Sequence, residues 1–272
     1  MPDKYKALWI SYSSMSDFLN CPRAYYLKNV YKNPETNKKI EITKPALSLG
    51  SAVHKVIEPL AKLKPEDRFT SDLFEKFSEV FSTYEGKRGG FVAKSDFDYF
   101  KKQGLGMIST VIQNNEPLIK QTYVAEQDLL HGWLSKTDEV IICGKIDWIN
   151  QLEDDKLEVI DFKTSKREEE DSLQLQIYTL LLFLLNKQQV NSLNYWYLRL
   201  NKDLTPVDLP DVRESKKIVL DIALEMKEAR ENSNFICPKS GCFHCEEYEQ
   251  IISGNAEMVG VGEFNREIYF VN

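Results

Sequence analysis

The sequence predicts an α/β protein with a helical lobe ahead of its sheet and a cysteine-containing segment behind it. Three observations carry this. Helical periodicity dominates residues 1–120, runs of β-branched and aromatic residues cluster between 122 and 164, and a helix, a strand and a helix alternate after them. Such an order is that of a sheet core covered by helices. The expected organisation is a single domain over 1–272: a mainly helical lobe at 1–120, an α/β core at 121–232 and a tail at 233–272.

Each element has its own signal. "SYSSMSDFLNCPRAYYLKNVYK" (11–32) opens with hydroxyl residues suited to capping and continues with apolar residues at helical spacing, which predicts two short helices. "ALSLGSAVHKVIEPLAKL" (46–63) reads as one helix, with Ala52, Val53, Val56, Ile57 and Leu60 on one stripe. Residues 71–84 and 93–119 read as amphipathic helices separated by the flexible "EGKRGG". Strands are predicted at 122–130, 139–149 and 156–164. Residues 171–186 start at a cap, Asp171 or Ser172, and are apolar on most sides, as in a buried helix. A strand at 193–200 and an amphipathic helix at 213–232 follow, and the tail reads as irregular.

Composition narrows the class. The chain is 42% hydrophobic and 28% charged, as soluble globular proteins are. Its longest apolar run, "IYTLLLFLL" (177–185), is half of what a bilayer span needs, and "MPDKYKALWISYSS" lacks the layout of an export signal. A cytoplasmic protein with no membrane contact is expected. The net charge of −7 argues against indiscriminate adhesion to nucleic acid, yet leaves room for a local basic groove. Lysine groups such as Lys38–Lys39 and Lys101–Lys102 read individually as solvated faces. Five cysteines without export features do not form a disulfide framework, and Cys143 inside an apolar strand reads as a small core residue.

The stretch "GKIDWINQLEDDKLEVIDFKTSK" (144–166) holds the chemistry. Side chains alternate faces along a strand, so Ile160 and Phe162 share one face while Asp161 and Lys163 take the other. Folding the hairpin about Asp154 sets Trp148 opposite Ile160, Ile146 opposite Phe162, Asp147 opposite Asp161 and Lys145 opposite Lys163. Like charges directly across a sheet are destabilising, which a cation between the two aspartates would relieve. Hard divalent ions take oxygen ligands, so Asp147, Asp161 and the main-chain carbonyl of Phe162 are candidate ligands of Mg²⁺ or Mn²⁺. Lys163 could hold a water and offset transition-state charge. The competing reading is a salt-bridged hairpin with two surface aspartates.

These segments together resemble the RecB-like branch of the PD-(D/E)XK nuclease superfamily. "SYSSMSDFLNCPRAYYLK" resembles its N-terminal signature, "GSAVHKVIE" its histidine helix, "GKIDWI" and "VIDFKTSK" its paired acidic strands, and "QLQIY" the helix after them. The resemblance implies a restriction-endonuclease-like core, a central mixed β-sheet flanked by helices. It implies that His54, Asp147 and Asp161 bind metal, that Lys163 is catalytic, and that Gln174 and Tyr178 orient the lysine or contact DNA. Glu126 matches an acidic position in a supporting role. Without the resemblance, His54 reads as a lone helical histidine, and Gln174 and Tyr178 as core residues.

Many members of the branch hold a [4Fe–4S] cluster on one N-terminal and three C-terminal cysteines. Cys21 is placed for the first, and Cys237, Cys242 and Cys245 for the others, although their Cys-x4-Cys-x2-Cys order departs from the usual one and leaves Ile251 near the place of the last. A structural zinc on the same thiolates, or no metal, are the alternatives, with His244 a further candidate zinc ligand. The function implied is metal-dependent hydrolysis of DNA, by an exonuclease acting on ends or single strands in recombination, repair or phage DNA processing. No phosphate-binding loop of the Gly-x4-Gly-Lys-Ser/Thr kind occurs, so unwinding falls to a helicase or recombination partner. An inactive DNA-binding scaffold, or a nuclease acting on RNA, are the rival readings.

Overall fold

The structure, a computed structural model, describes residues 3–124, 129–168, 173–186, 189–200 and 202–272. Strand β1 (Leu8–Ile10) leads into α1 (Tyr12–Asn20). Ser11 and Ser14 cap that helix reciprocally, each hydroxyl accepting the other's main-chain N–H at 3.3 and 2.9 Å. Cys21 ends α1 and opens α2 (Pro22–Tyr25), which runs on as one π turn over Tyr26–Val30. After β2 (Ile40–Ile42) come α3 (Pro45–Ile57), α4 (Leu73–Ser82) and α5 (Lys94–Gln113). These three pack around Phe77, Phe81 and Phe97. Gly104 sets their spacing: a Cβ there would stand 2.0 Å from the Phe77 ring, so a larger residue would force α5 away.

The strands β3 (Leu130–Ser135), β4 (Val140–Gly144), β5 (Trp148–Gln151) and β6 (Leu157–Lys163) follow. Then come α6 (Leu173–Asn186), β7 (Val190–Tyr197), β8 (Thr205–Val207) and α7 (Val212–Glu231). The chain closes with α8 (Glu246–Ile252), β9 (Glu257–Val261) and β10 (Glu267–Phe270). Three mixed sheets result, in the orders β1-β4-β3, β5-β6-β7-β8 and β2-β10-β9. The expected mixed α/β architecture with flanking helices is therefore present.

Strand β6 separates two cores. Ile160 and Phe162 face the α3–α5 layer together with Trp148 and Trp196. Leu157 and Val159 face the layer built by α1, α6 and α7. Burying each large apolar side chain is worth about 1.5–3 kcal/mol, so the alternation is strongly enforced. A one-residue slip would drive Asp161 and Lys163 into the phenylalanine-rich layer.

The register of β5 on β6 is the expected one, with Trp148 opposite Ile160. The single strand expected at 139–149 is instead two, because β4 pairs with β1 and β3 while β5 pairs with β6. The chain changes sheets at residues 145–147, so the ladder does not reach Ile146–Phe162, and Lys145 turns to Glu58 instead of facing Lys163. The helix expected to reach Leu63 stops at Ile57, before Pro59, and tightens into a 3₁₀ segment. The one expected to reach residue 119 ends at Gln113. In place of a strand at 122–130, Thr122 makes one bridge to Asn150 and β3 begins at Leu130. Residues 125–128 and the cap residues Asp171 and Ser172 lie outside the described residues. The tail is more regular than expected, since β10 pairs with both β2 and β9.

Candidate active site

The site forms where β5 leaves β6. His54 and Glu58 are four residues apart, so α3 and the turn after it place them on one face. His54 Nδ1 lies 2.8 Å from Glu58 Oε1 and 3.5 Å from Asp147 Oδ2. One donor atom from each of His54, Glu58 and Asp147 lies within 4.8 Å of the others. Asp147 Oδ2 also accepts the main-chain N–H of Phe162 at 2.9 Å. In a strand the N–H and C=O of one residue point to the same edge, so the Phe162 carbonyl points to the side where Asp147 stands.

Asp161 and Lys163 project from the other face of β6, toward α6. Asp161 is 1% exposed. Its Oδ1 accepts from Gln174 Nε2 at 2.7 Å, and its Oδ2 lies 3.1 Å from Lys163 Nζ. Gln174 also accepts from Lys163 Nζ at 2.5 Å through Oε1, and Nε2 donates to the Tyr178 hydroxyl at 2.8 Å. Thus one amide links the lysine, the aspartate and the tyrosine. Tyr195 lies beneath, with Lys163 Nζ 5.0 Å from its ring centroid.

Burial and crowding make this a proton-holding cluster. Burial, then the neighbouring Asp161 charge, pushes Asp147 up to about 8. Burial alone would lower His54, but the hydrogen bond to Glu58 and the charges of Asp147, Glu58 and Asp161 outweigh it and raise the imidazole to about 9. Burial raises Glu58, yet its bonds to His54 and Lys145 prevail and lower it. Burial takes Tyr178 well above its usual value, so it stays neutral. A group of acids retaining protons at neutral pH is a site for positive charge.

The donors fit a hard divalent ion. Bonds of 2.0–2.1 Å at octahedral angles place ligands about 3–4.2 Å apart, close to the spacing found. Asp161 stands outside the mutually close group and adjoins it through Asp147. Glu58 was not singled out from the sequence, although its spacing from His54 in "HKVIE" was the available signal. Glu126 lies outside the described residues.

The four cysteines meet at the other end of the chain. Cys21, Cys237, Cys242 and Cys245 have sulfurs within 4.8 Å of one another, and Cys242 and Cys245 are 3.8 Å apart. All are free thiols. Main-chain N–H groups of Ala24 and Gly241 donate to Cys21 and Cys237 at 3.4 and 3.3 Å. Main-chain hydrogen bonding from Lys239, ahead of that from Gly241, lowers Cys237 to about 7, whereas burial pushes Cys245 up to about 12. Cys143 sits apart in β4, buried, and burial raises it to about 11. Tyr25 and Tyr26 pack on Phe18 and Phe235, so these tyrosines are occupied inside the fold.

An acidic hairpin with a following lysine, a histidine helix beside it and a glutamine–tyrosine helix behind it define a nuclease class. A family model for the PD-(D/E)XK nuclease superfamily matches residues 9–250, and the chain belongs to that superfamily. Its relatives include the exonuclease/helicase subunit RexB of Lactococcus lactis subsp. cremoris strain MG1363, 24% identical over 92% of this chain. Another is an ATP-dependent helicase/deoxyribonuclease component of Lactococcus lactis subsp. cremoris strain SK11, 25% identical over 92% of this chain. Each alignment covers 24% of the relative, so the chain spans about a quarter of their length. A solved structure of a candidate exonuclease from Eubacterium rectale is 13% identical, with a TM-score of 0.48 over 81% of this chain and 82% of that one. The RecB-like resemblance drawn from the sequence agrees with these relatives.

Proposed function

We propose that the chain is a divalent-metal-dependent deoxyribonuclease, an exonuclease acting on DNA ends or single strands in recombination or repair. The observation that carries this is the His54–Glu58–Asp147 donor group beside the Asp161–Lys163–Gln174 network. His54, Glu58 and Asp147, with Asp161 and the Phe162 carbonyl adjoining, would hold Mg²⁺ or Mn²⁺. Such an ion supplies Lewis acidity toward a phosphoryl oxygen and an activated water.

The chain's own residues do the rest. Gln174 fixes the Lys163 ammonium through Oε1, and Asp161 fixes it through charge. The ammonium then holds the attacking water and offsets charge growing on the phosphate oxygens. Tyr178 anchors the amide so that it cannot rotate away. Phe162 and Trp148 back the acidic residues with an apolar wall that keeps the field undiluted by water.

The four cysteines would tie the N-terminal helices to the tail with one structural ion. Zn–S bonds of about 2.3 Å at tetrahedral angles place sulfurs about 3.8 Å apart, near the spacing found. A four-iron cluster bonds each thiolate to a different iron and spreads the sulfurs wider. The spacing therefore supports zinc over the cluster.

A cytoplasmic location and a helicase partner complete the reading. Among the described residues no helix is long and apolar enough to cross a membrane. End-labelled DNA incubated with Mg²⁺ or Mn²⁺ should shorten progressively, and Lys163→Ala should abolish this. A wild-type protein that leaves DNA intact but shortens RNA, or cuts neither, would replace the reading with one of its rivals.

A further inference from the structure

A second groove lies on the other side of α3, with a volume of about 760 Å³. Its walls are α1, α3, α8 and the β9–β10 hairpin, whose tip is Phe264. This phenylalanine is 91% exposed and has φ 55°, in the left-handed region that bulky side chains avoid. No packing repays that strain. Strained backbone carrying an exposed ring at a loop tip is characteristic of a contact site.

The hairpin is held in place. Gly260, at φ 157°, lies where a side chain would run into Arg88, and the Arg88 guanidinium donates to the Val261 carbonyl at 3.4 Å. Across the groove Tyr84 presents a second ring, its hydroxyl bonded to Ser51 at 2.8 Å and Lys55 at 2.9 Å. Arg266 and Lys28 also line the cavity. Three carboxylates temper these cations: Asp17 holds Lys28 at 2.6 Å, Glu263 holds Lys55 at 2.9 Å, and Glu41 lies in the wall. The Lys55–Glu263 pair is exposed, so little is lost when a phosphate displaces the glutamate.

Rings interleaved with cations along a groove suit unpaired bases and their backbone. The volume is that of a pocket for one drug-sized ligand, enough for about two or three nucleotides of one strand and too small for a duplex. Ser51 and Lys55 line the groove, while His54, between them in sequence, faces the metal donors. One helix therefore borders both places. We infer that this groove guides single-stranded DNA toward the acidic site, with a base stacked on Phe264; the direction of travel rests on the nuclease reading.

Binding of a fluorescent oligothymidylate by the full chain, followed by anisotropy in EDTA, tests this without hydrolysis. Phe264→Ala should weaken binding about tenfold, and Phe264→Trp should keep it, with the new indole quenched by the bases. Glu263→Gln should tighten binding about threefold by releasing Lys55. Unchanged affinity for Phe264→Ala, an unquenched indole, weaker binding by Glu263→Gln, or a blunt duplex bound as tightly as the single strand would each overturn the inference. Because cleavage is not read, a chain that binds through Phe264 but cuts nothing refutes only the enzymatic reading. One that cuts, with binding indifferent to Phe264, refutes only this one.

Discussion

The carboxylate of Asp147 accepts the main-chain N–H of Phe162, so a side chain occupies the place that a strand carbonyl would hold one rung further along β5. The sheet ends there without stranding its N–H, and the acid is fixed at the mouth of the site. Asp147→Asn keeps an acceptor for that N–H but removes the charge; Asp147→Ala removes both. The asparagine variant should fold as stably as wild type while Mn²⁺ affinity, read by calorimetry, collapses. The alanine variant should also lose about 1–3 kcal/mol of stability for the orphaned N–H. Equal Mn²⁺ affinity in wild type and Asp147→Asn would remove Asp147 from the ligand set.

Protons and metal compete for these groups. With His54 raised to about 9 and Asp147 to about 8, the metal-free protein retains protons that bound metal must displace. The metal-bound state holds fewer protons, so affinity should rise with pH from about 6 to about 9. Mn²⁺ titrations in buffers of different ionisation enthalpy should show proton release at neutral pH. Affinity that is flat across this window would contradict the arrangement.

Gln174 is a positioning residue, since it acts through Lys163 and Asp161. Gln174→Ala should lower kcat by about 10–100-fold, as loss of an outer partner of a metal site does, and leave Mn²⁺ affinity nearly unchanged. Tyr178→Phe removes one bond to the amide and should cost less. A Gln174→Ala protein that loses metal affinity and turnover together would point to a merely structural role.

How far the sequence revealed this follows from range. The β5–β6 register was legible because apolar alternation and the acidic turn are local, and the faces of Asp161 and Lys163 came with it. The break at 145–147 was not, because β4 is claimed by β1, more than a hundred residues earlier, and no local pattern announces that pairing. Glu58 escaped for a related reason. It looks like an ordinary exposed helix residue until Asp147 and Lys145 arrive from another element. The tail strands escaped because β10 forms only against β2, far away in sequence.

Arg68 is the buried cation that holds the α3–β5 side together. It is fully buried, with Nε 3.0 and 3.1 Å from the carbonyls of Leu60 and Leu63, and Nη1 2.5 and 2.6 Å from those of Leu118 and Lys120. Nη2 donates to Thr122 at 2.9 Å, and the guanidinium lies over Trp148 at 5.0 Å. A lysine has three donors on a point charge and cannot span this set. Arg68→Lys and Arg68→Met should each destabilise by about 3 kcal/mol or more, seen as a lower midpoint in urea. A midpoint like that of wild type would mean that these carbonyls find other donors.

Cys21 joins chain ends more than two hundred residues apart, so its loss tests the thiolate site as a clamp. Its sulfur is fully buried and meets those of Cys237, Cys242 and Cys245. Protein purified without oxygen should carry about one zinc per chain and no near-visible absorption, as a redox-inert tetrahedral ion requires. A strong chelator, or Cys21→Ser, should then lower the melting temperature and expose the tail to protease. Zinc resupplied after chelation should restore the wild type but not the serine variant. Iron with sulfide in place of zinc, together with a brown colour, would show that the thiolates open out around a cluster instead.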